Sequence, residues 1–538
     1  MNSLILAVFC LAFFIFGYNF YRRKLTTLWE VSEQNPTPAH KNYDGVDYVP
    51  AKNWVILFGH HYASIAGAGP ILGPVIACAI WGWFPAVIWI VFGSVFLGGV
   101  HDFSALMISL RNEGKSVADI SEKVLGKNAR IFFSIFVILA LILVDAVFAI
   151  AAAKTLVKTA QIVIPTFSLI IIAVFTGFMI YKWKVPVPLA TIIALVLVLF
   201  SLYLGYKNPV GLSVENPLKL WIVIFLVYGG IASLLPANLL LQPRDYLSFY
   251  FLFIGLAIGY VGLFFSRPPI NAPAFISFST ARGMLWPTMC IIIACGAISG
   301  FHSLISSGTT AKQLASEKNA YKIGYGAMIF EGVLAILALI SVVAGLKWSG
   351  INSYPAMVKT GDWIGTFATG YGNITKPILG TWGAFVAMII LNSFIVTTLD
   401  SATRITRYVF QELFGEKFKI GLFKKSLPTT IVIILIAYWF STGPQKRIWP
   451  MFGASNQLLA GLVLLVVTVW LKIKKKKNLY TAIPAGFMLL TTAFALILEM
   501  KKNFASNNLL FGTALILFVA SILMIWTAIE KIFKVKNG

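Results

Sequence analysis

The sequence predicts an all-α polytopic membrane protein whose core is formed by two inverted repeats of five helices, with broken helices inside the repeats and extra helices around them. Two observations carry this prediction. The 538 residues are 59% apolar and only 12% charged, with a mean hydropathy of +0.85, as expected of a chain surrounded by lipid. Two apolar segments far apart in the chain also share an unusual arrangement of histidine, serine and glycine.

Apolar windows long enough to cross a bilayer predict about 15 transmembrane helices. They lie near residues 3–20, 55–80, 85–110, 131–153, 160–181, 187–205, 219–241, 246–266, 285–308, 323–346, 377–399, 427–441, 448–471, 479–499 and 508–530. Most of the 43 lysines and arginines fall in loops on one side of these windows. The positive-inside rule makes that side cytoplasmic, which leaves the N-terminus outside and the C-terminus in the cytoplasm.

The second window contains a segment that cannot remain one continuous helix. Residues 58–74 read F-G-H-H-Y-A-S-I-A-G-A-G-P-I-L-G-P, and Pro70 and Pro74 lack the N–H group that a helix requires. Lipid does not tolerate free backbone groups, so a break here has to line a cavity within the protein. The half-helix after the break directs free N–H groups towards that cavity, which favours a carboxylate ligand. The expected ligands are the amides of Gly67, Ala68 and Gly69. Tight helix packing is the alternative reason for small residues here.

The ninth window repeats the spacing of the second. His61 precedes Gly67 by six residues, and His302 precedes Gly308 by the same interval. The two windows cross the membrane in opposite directions, as inverted repeats require. The predicted organisation is an N-terminal signal anchor and loop (1–52), a first repeat (53–210), two inserted helices (211–283), a second repeat (284–473) and accessory helices (474–538).

Polar side chains at membrane depth supply the other candidate site residues, because such groups are costly to retain without a use. For substrate binding we expect His61, Ser64, His302, Ser306 and Ser307, and for coupling Asp145, Glu331 and Asp400, with His61 and Asp145 as the first candidates for proton transfer. Alternatives stay open. The histidines can be neutral groups bonded to carbonyls, Asp102 can clamp the basic loop that follows it, and Asp400 can pair with Arg404 or Arg407.

Several longer motifs resemble the carbon-starvation (CstA) family of bacterial membrane transporters. They are the run from Asn53 to Pro70, G-G-V-H-D-F at 98–103, R-N-E-G-K-S at 111–116 and W-P-M-F-G-A-S-N-Q-L at 449–458. The resemblance covers about residues 45–500. It implies a LeuT-like core within the amino-acid/polyamine/organocation superfamily, and proton-linked import of pyruvate or peptides when carbon is scarce.

A narrower resemblance concerns the coupling ion. T-T-L-D-S-A-T at 397–403 is similar to a segment of betaine/carnitine-type transporters that holds sodium. By that resemblance the hydroxyls of Thr397 and Thr398 would be sodium ligands, together with carbonyls of residues 63–67. Hard cations do prefer such oxygen ligands. The alternative function is therefore a sodium-coupled symporter for amino acids or carboxylates.

These features favour a secondary active transporter in the bacterial plasma membrane. The expected partners are a small-molecule substrate, pyruvate or a peptide, a proton or sodium ion, and the lipid bilayer, with no nucleic acid. No metalloprotease, serine-hydrolase or nucleotide-binding motif occurs, so we expect neither enzyme activity nor a cofactor. A channel would require a selectivity filter, and nothing in the sequence suggests one.

Overall fold

The computed structural model describes residues 2–45, 47–236, 240–443 and 448–536. Within these ranges the chain is helical almost throughout, and its strands are the short antiparallel pair β1 (Ser279–Thr280) and β2 (Gly283–Met284). Twelve of the described helices are long and apolar enough to span a membrane, and a bent helix pair raises that number to 13. The predicted all-α polytopic architecture is confirmed.

The first part of the chain contains α1 (Ser3–Leu28), α2 (Pro38–Lys41), α3 (Trp54–Ile65), α4 (Gly69–Trp81), α5 (Trp83–Phe92), α6 (Gly99–Arg111) and α7 (Val117–Leu125). The Asn2 side chain caps α1 by accepting from the Leu4 amide. A π-helical turn, Gly93–Gly98, joins α5 to α6, so that together they form one helix of spanning length. The bent pair consists of α3 and α4.

Five longer helices follow, namely α8 (Lys127–Lys158), α9 (Val163–Gly177), α10 (Val187–Lys207), α11 (Pro217–Leu234) and α12 (Leu241–Ser266). The rest of the chain contains α13 (Cys290–Ile292), α14 (Phe301–Ile305), α15 (Ala311–Gln313), α16 (Ala320–Val343), α17 (Tyr354–Lys359), α18 (Trp363–Leu379), α19 (Gly383–Phe410), α20 (Ser426–Thr442), α21 (Ile448–Ile473), α22 (Leu479–Asn503) and α23 (Asn508–Lys536).

The windows predicted at 285–308 and 427–441 are not among the helices of spanning length. The first is interrupted, and the second corresponds to α20, which has only 17 residues. The window at 377–399 is shifted, because the helix in that region is α19. The preceding helix α18 was not predicted at all. It ends just after Pro377, and Gly380 then adopts a φ of +55°, which reverses the chain into α19.

The centre of the molecule consists of α8, α16 and α21, whose apolar windows are almost wholly buried by other helices. In contrast, α1 and α10 leave most of their windows exposed. Many large apolar side chains stand on such outer faces, which suits a protein surrounded by lipid. The two interrupted segments, 54–81 and 285–313, pack against this buried centre.

Candidate functional site

The first break lies in the second predicted window. α3 ends at Ile65 and α4 begins at Gly69, and the two helices are bent by 44° relative to each other. Pro70 occupies the first turn of α4, where a missing N–H costs no hydrogen bond. Pro74 lies inside α4 without ending it. The predicted break is therefore present, and residues 66–68 form it.

The second break lies in the ninth predicted window. α13 ends at Ile292, α14 begins at Phe301, and residues 293–300 between them are not helical. α14 continues into a π-helical turn, Ser306–Thr310, and such turns are frequent at functional positions. The two segments that share the histidine and glycine spacing are thus both interrupted.

The two breaks lie against each other. A Cβ added to Gly69 would overlap the Cys295 thiol of the second break, and one added to Gly73 would lie 2.6 Å from the Ile292 carbonyl oxygen. Glycines permit this approach, as small residues generally do between membrane helices. Gly69 therefore takes part in close packing.

Asn456 and Gln457 on α21 hold the second break in place. The Asn456 side chain accepts from the Phe301 amide at 2.9 Å and donates to the Ser299 hydroxyl at 3.0 Å. The Gln457 amide donates to the Cys290 carbonyl oxygen at 2.8 Å. These bonds satisfy polar groups that the break exposes, which makes both residues structural supports of the site.

The start of α4 offers free backbone donors. The Gly67 amide already donates to the Ile65 carbonyl oxygen at 2.9 Å. Ala68 caps α4 and Gly69 is its first residue, and within the described residues neither amide donates a hydrogen bond. Free amides at the start of a helix attract anions. Of the three predicted ligands, Ala68 and Gly69 have the free donors.

A cavity of about 400 Å³ opens beside the breaks. Its wall includes Ser64 on α3, Ser307 in the π-helical turn and Ser401 on α19, and it extends outwards to Lys115. A cavity that includes Leu72 of α4 has a volume of only about 60 Å³. The cavity on the α3 side of the break is therefore much larger than the one on the α4 side.

The predicted substrate residues fall into two groups. Ser64 and Ser307 line the larger cavity, whereas His61 and His302 are fully buried behind its wall. The Ser64 hydroxyl donates to the His60 carbonyl oxygen at 2.8 Å. The structure therefore brings the two serines to the cavity and places the two histidines deeper in the protein.

The deeper polar groups have their own partners. His61 Nδ1 lies 2.8 Å from the Thr310 hydroxyl, a contact that joins α3 to the π-helical turn. The Ser306 hydroxyl is buried and has no hydrogen-bond partner among the described residues. Ser306 is thus available for a bond that the described residues do not supply.

Two carboxylates and two histidines form a buried cluster between α6, α14 and α16. Asp102 Oδ1 lies 2.7 Å from His101 Nδ1, and Asp102 Oδ2 lies 2.7 Å from His302 Nδ1. His302 Nε2 is 3.1 Å from Glu331 Oε2, at an angle too oblique for a regular hydrogen bond. All four side chains are inaccessible to solvent. Asp102 contacts histidines here, and not the basic loop considered as its partner from the sequence.

Asp400 forms a different buried pair from the one considered in the sequence. Its carboxylate accepts from Arg244 Nη2 at 3.0 Å and from the Tyr228 hydroxyl at 3.2 Å. Arg404 and Arg407 instead donate to backbone carbonyls near the end of α11. The alternative pairing of Asp400 with Arg404 or Arg407 is not observed, because both arginines form hydrogen bonds with the end of α11.

The other predicted coupling residues lie on α8 and α19. Asp145 Oδ1 accepts from the Thr403 hydroxyl at 3.1 Å, and its second oxygen has no partner among the described residues. The Thr397 hydroxyl donates to the Ser393 carbonyl oxygen at 2.6 Å. The Thr398 hydroxyl is buried without a described partner and faces Gly67 of the first break. A sodium ligand needs a hydroxyl oxygen that faces the first break and is free to bind the ion. Of the two threonines, Thr398 fits this requirement better.

Arg244 and Asp245 at the start of α12 escaped the sequence analysis. Both are buried, and Asp245 Oδ2 lies 2.9 Å from His60 Nδ1. The two residues directly precede the predicted window 246–266, and the sequence alone assigned them no role. One feature of the sequence could have identified them. Arg244 and Asp245 are adjacent charged residues in a segment that otherwise lacks the composition of a loop.

The described residues contain no group of three or more histidine, cysteine, aspartate or glutamate side chains placed to hold a metal ion. The four cysteines are free and buried.

The chain matches the family model "Carbon starvation protein CstA" over residues 2–363 and 349–495. It is 31% identical to the "Peptide transporter CstA" of Bacillus subtilis (strain 168), over 98% of this chain and 95% of that protein. It is 32% identical to the "Pyruvate/proton symporter BtsT" of Escherichia coli (strain K12), over 93% of this chain and 82% of that protein.

Solved structures share the fold. A manganese transporter of Eremococcus coleocola superposes with a TM-score of 0.56 at 13% identity, over 92% of this chain and 99% of that one. MhsT in complex with L-phenylalanine superposes with a TM-score of 0.51 at 12% identity, over 88% of this chain and 99% of that one. The LeuT-like fold predicted for the core is confirmed.

Proposed function

The chain belongs to the carbon starvation protein CstA family of membrane transporters, and from this premise we propose that it imports small carboxylates, pyruvate or short peptides, together with protons. The relative from Escherichia coli is named as a pyruvate/proton symporter, and the relative from Bacillus subtilis as a peptide transporter. We extend these substrate classes and the coupling ion to this chain, in the plasma membrane of a bacterium.

The observation that carries the proposal is the contact between the two breaks. Gly69 of the first break meets Cys295 of the second, and the free amides of Ala68 and Gly69 begin α4 beside this contact. A carboxylate bound there would gain hydrogen bonds and the favourable end of a helix dipole. Both pyruvate and peptides have a carboxylate, so this chemistry suits the class without distinguishing its members.

We assign the larger cavity as the route towards that site, because Ser64 in its wall lies two residues before the first break. Its volume of about 400 Å³ is in the range of small-molecule pockets. Its wall includes three basic residues, Lys115, Lys312 and Arg404, and three acidic residues, Asp47, Asp119 and Glu412. The preference for a carboxylate therefore rests on the free amides of α4 and not on the charge of this wall. The same basic residues make this side cytoplasmic by the positive-inside rule, so we assign the structure to an inward-open state with the N-terminus outside.

Transport requires no covalent chemistry, and we assign the chain no enzymatic role. A sodium-coupled symporter for amino acids or carboxylates is the second candidate. It is favoured by Thr398, whose buried hydroxyl faces the backbone of the first break and has no described hydrogen-bond partner. Oxygen ligands of this kind suit a hard cation.

Uptake by purified protein in liposomes tests the proposal. Labelled pyruvate, lactate, dipeptides and amino acids are offered under a proton gradient and, separately, under a sodium gradient. We expect accumulation of pyruvate or a dipeptide driven by the proton gradient alone. Accumulation that requires sodium would favour the second candidate, and an absence of carboxylate uptake under either gradient would overturn the proposal.

A matched pair of variants links uptake to the cavity. In Ser307→Trp a bulky side chain fills the cavity wall, so uptake should be lost. In Ser279→Trp the same side chain stands on the exposed β1 strand, so uptake should persist. Equal uptake by both variants would place the substrate route elsewhere.

A further inference from the structure

The geometry of the buried cluster limits how many protons it can hold. The cluster consists of His101, Asp102, His302 and Glu331. An ionised carboxylate only accepts hydrogen bonds, and both oxygens of Asp102 face imidazole Nδ1 atoms at 2.7 Å. Each of those nitrogens therefore bears the hydrogen. This assigns the tautomer of His302 and leaves its Nε2 atom to interact with Glu331.

His302 and Glu331 are close enough to share a proton, although their contact is not aligned as a regular hydrogen bond. Their Nε2 and Oε2 atoms are 3.1 Å apart, and without a proton two lone pairs would face each other in a site closed to water. An imidazolium beside a carboxylate and a neutral imidazole beside a carboxylic acid contain the same number of protons. The 3.1 Å separation thus fits the proton-loaded pair better than the unprotonated one, whichever atom holds the proton.

Loss of that proton would leave two negative carboxylates, Asp102 and Glu331, in a site without solvent. Charge of this kind is costly at membrane depth, so release has to be accompanied by separation of the pair or by access of water. The ion-pair partners of Asp102 and Glu331 in the described part of the chain are histidines, which neutralise them only when protonated.

The pair joins an interrupted segment to a continuous helix. His302 is the second residue of α14, directly after the second break, and five residues later Ser307 lines the cavity. Glu331 stands on α16, which is unbroken from Ala320 to Val343. Separation of His302 from Glu331 would therefore displace the half-helix that forms one wall of the substrate cavity.

From these contacts we propose that the His302–Glu331 pair is the binding site of the transported proton, with Asp102 and His101 as positioning residues. The proposal rests on the proposed function and names the coupling site within it. On loading, a proton from water forms a bond to His302 Nε2 or Glu331 Oε2. On release that bond breaks and the proton returns to water in the cavity.

Three other titratable side chains lie near the pair, but none of them is a histidine in contact with a carboxylate of the described chain. They are His61 and Tyr62 on α3 and Cys295 in the second break, each electrostatically coupled to a member of the cluster. Tyrosine and cysteine ordinarily stay neutral at physiological pH. His61 has the Thr310 hydroxyl as its partner and contacts no carboxylate among the described residues. Among the described residues, His302 is the one histidine that contacts two carboxylates, those of Asp102 and Glu331.

Infrared difference spectra between acidic and alkaline buffer test the site without any substrate. Purified wild-type protein in liposomes should show one titration step in carboxyl or imidazole bands from this pair. Each variant leaves one titratable group of the pair, so the step should disappear at its wild-type pH in both. Glu331→Gln should retain only the imidazole bands and His302→Gln only the carboxyl bands, each at a different pH. The matched control is Glu499→Gln, a buried carboxyl on α22 outside the cluster, which should keep the step.

Flux measurements with pyruvate complete the experiment. Glu331→Gln should lose accumulation driven by a proton gradient while keeping exchange of internal for external pyruvate, and Glu331→Asp, which retains a carboxyl group, should keep part of the accumulation. Asp102→Asn should keep the infrared step but shift its pH. A titration step that keeps its wild-type pH and bands in Glu331→Gln or His302→Gln, or full accumulation by Glu331→Gln, would overturn the proposal.

The two proposals fail in different ways. If wild-type protein transports no carboxylate but the infrared step is lost in both variants, the proposed substrate is wrong and the proton site stands. If pyruvate accumulates normally in both variants, the proposed function stands and the proton site is wrong.

Discussion

Gly67 and Thr398 meet where the first break contacts α19. A Cβ added to Gly67 would lie 2.9 Å from the Thr398 hydroxyl oxygen and 3.0 Å from the Phe148 ring. The hydroxyl itself has no hydrogen-bond partner among the described residues. This contact connects the half of the molecule that contains the first break to the helix that contains the sodium-like motif.

Thr398→Ala should slow transport modestly without making it dependent on sodium. A bond between membrane helices contributes only about 0.6–2 kcal/mol, and the Thr398 hydroxyl forms none in this conformation. Initial uptake rates at several sodium concentrations measure the effect, with Thr398→Ser as the control that keeps the hydroxyl. A strict sodium requirement that weakens in Thr398→Ala would show that sodium is the coupling ion.

Gly69→Ala should impair uptake through packing, because the new Cβ overlaps the Cys295 thiol. Removing that side chain should make room, so the double variant Gly69→Ala/Cys295→Gly should recover uptake. Protein yield after size-exclusion chromatography and pyruvate uptake are measured together. A double variant that is folded but inactive would indicate instead that the added methyl group blocks an anion at the start of α4.

Asp145→Asn should retain both folding and proton-driven accumulation. Asparagine keeps an oxygen that can accept from the Thr403 hydroxyl, and Asp145 contacts no histidine among the described residues. The sequence favoured Asp145 as a titrating group, so this variant separates the two assignments. Accumulation under an imposed proton gradient is the measurement, and its loss with exchange intact would return Asp145 to the proton pathway.

Arg244→Met should strongly destabilise the protein. It leaves the Asp400 carboxylate buried without its cation, and breaking a buried pair in this way costs about 3–5 kcal/mol. The double variant Arg244→Met/Asp400→Leu removes both charges and should recover most of the lost stability. Thermal unfolding of purified protein in detergent measures both. Equal Tm values for the wild type and the single variant would mean that the pair contributes little.

Cysteine labelling can establish the orientation. Thr309→Cys lies in the wall of the larger cavity, and Ile351→Cys is 96% exposed beyond the opposite end of α16. The four natural cysteines are buried. A membrane-impermeant maleimide should label Thr309→Cys only in inside-out vesicles and Ile351→Cys only in right-side-out vesicles. The reverse pattern would place the N-terminus in the cytoplasm.

Local properties of the sequence determined the all-α membrane fold and the two interrupted segments. Long apolar windows are required of any helix that crosses lipid, so hydropathy alone identifies them. Pro70 and Pro74 disturb the helical hydrogen bonds of their own segment, whatever that segment packs against. The same approach missed α18, whose mixed composition resembles a loop, and it did not show that α4 continues through Pro74. Tertiary context decided those boundaries.

The partners of the buried charges were decided by tertiary structure alone. Asp400 has Arg404 nearby in sequence but pairs with Arg244 from a helix more than 150 positions earlier, and Asp102 meets His302 at a separation of 200 residues. Residue type determines that a buried charge needs a partner, because lipid and apolar side chains supply none. Which residue becomes the partner depends on how the helices are arranged around one another, and hydropathy and local spacing contain no record of that arrangement.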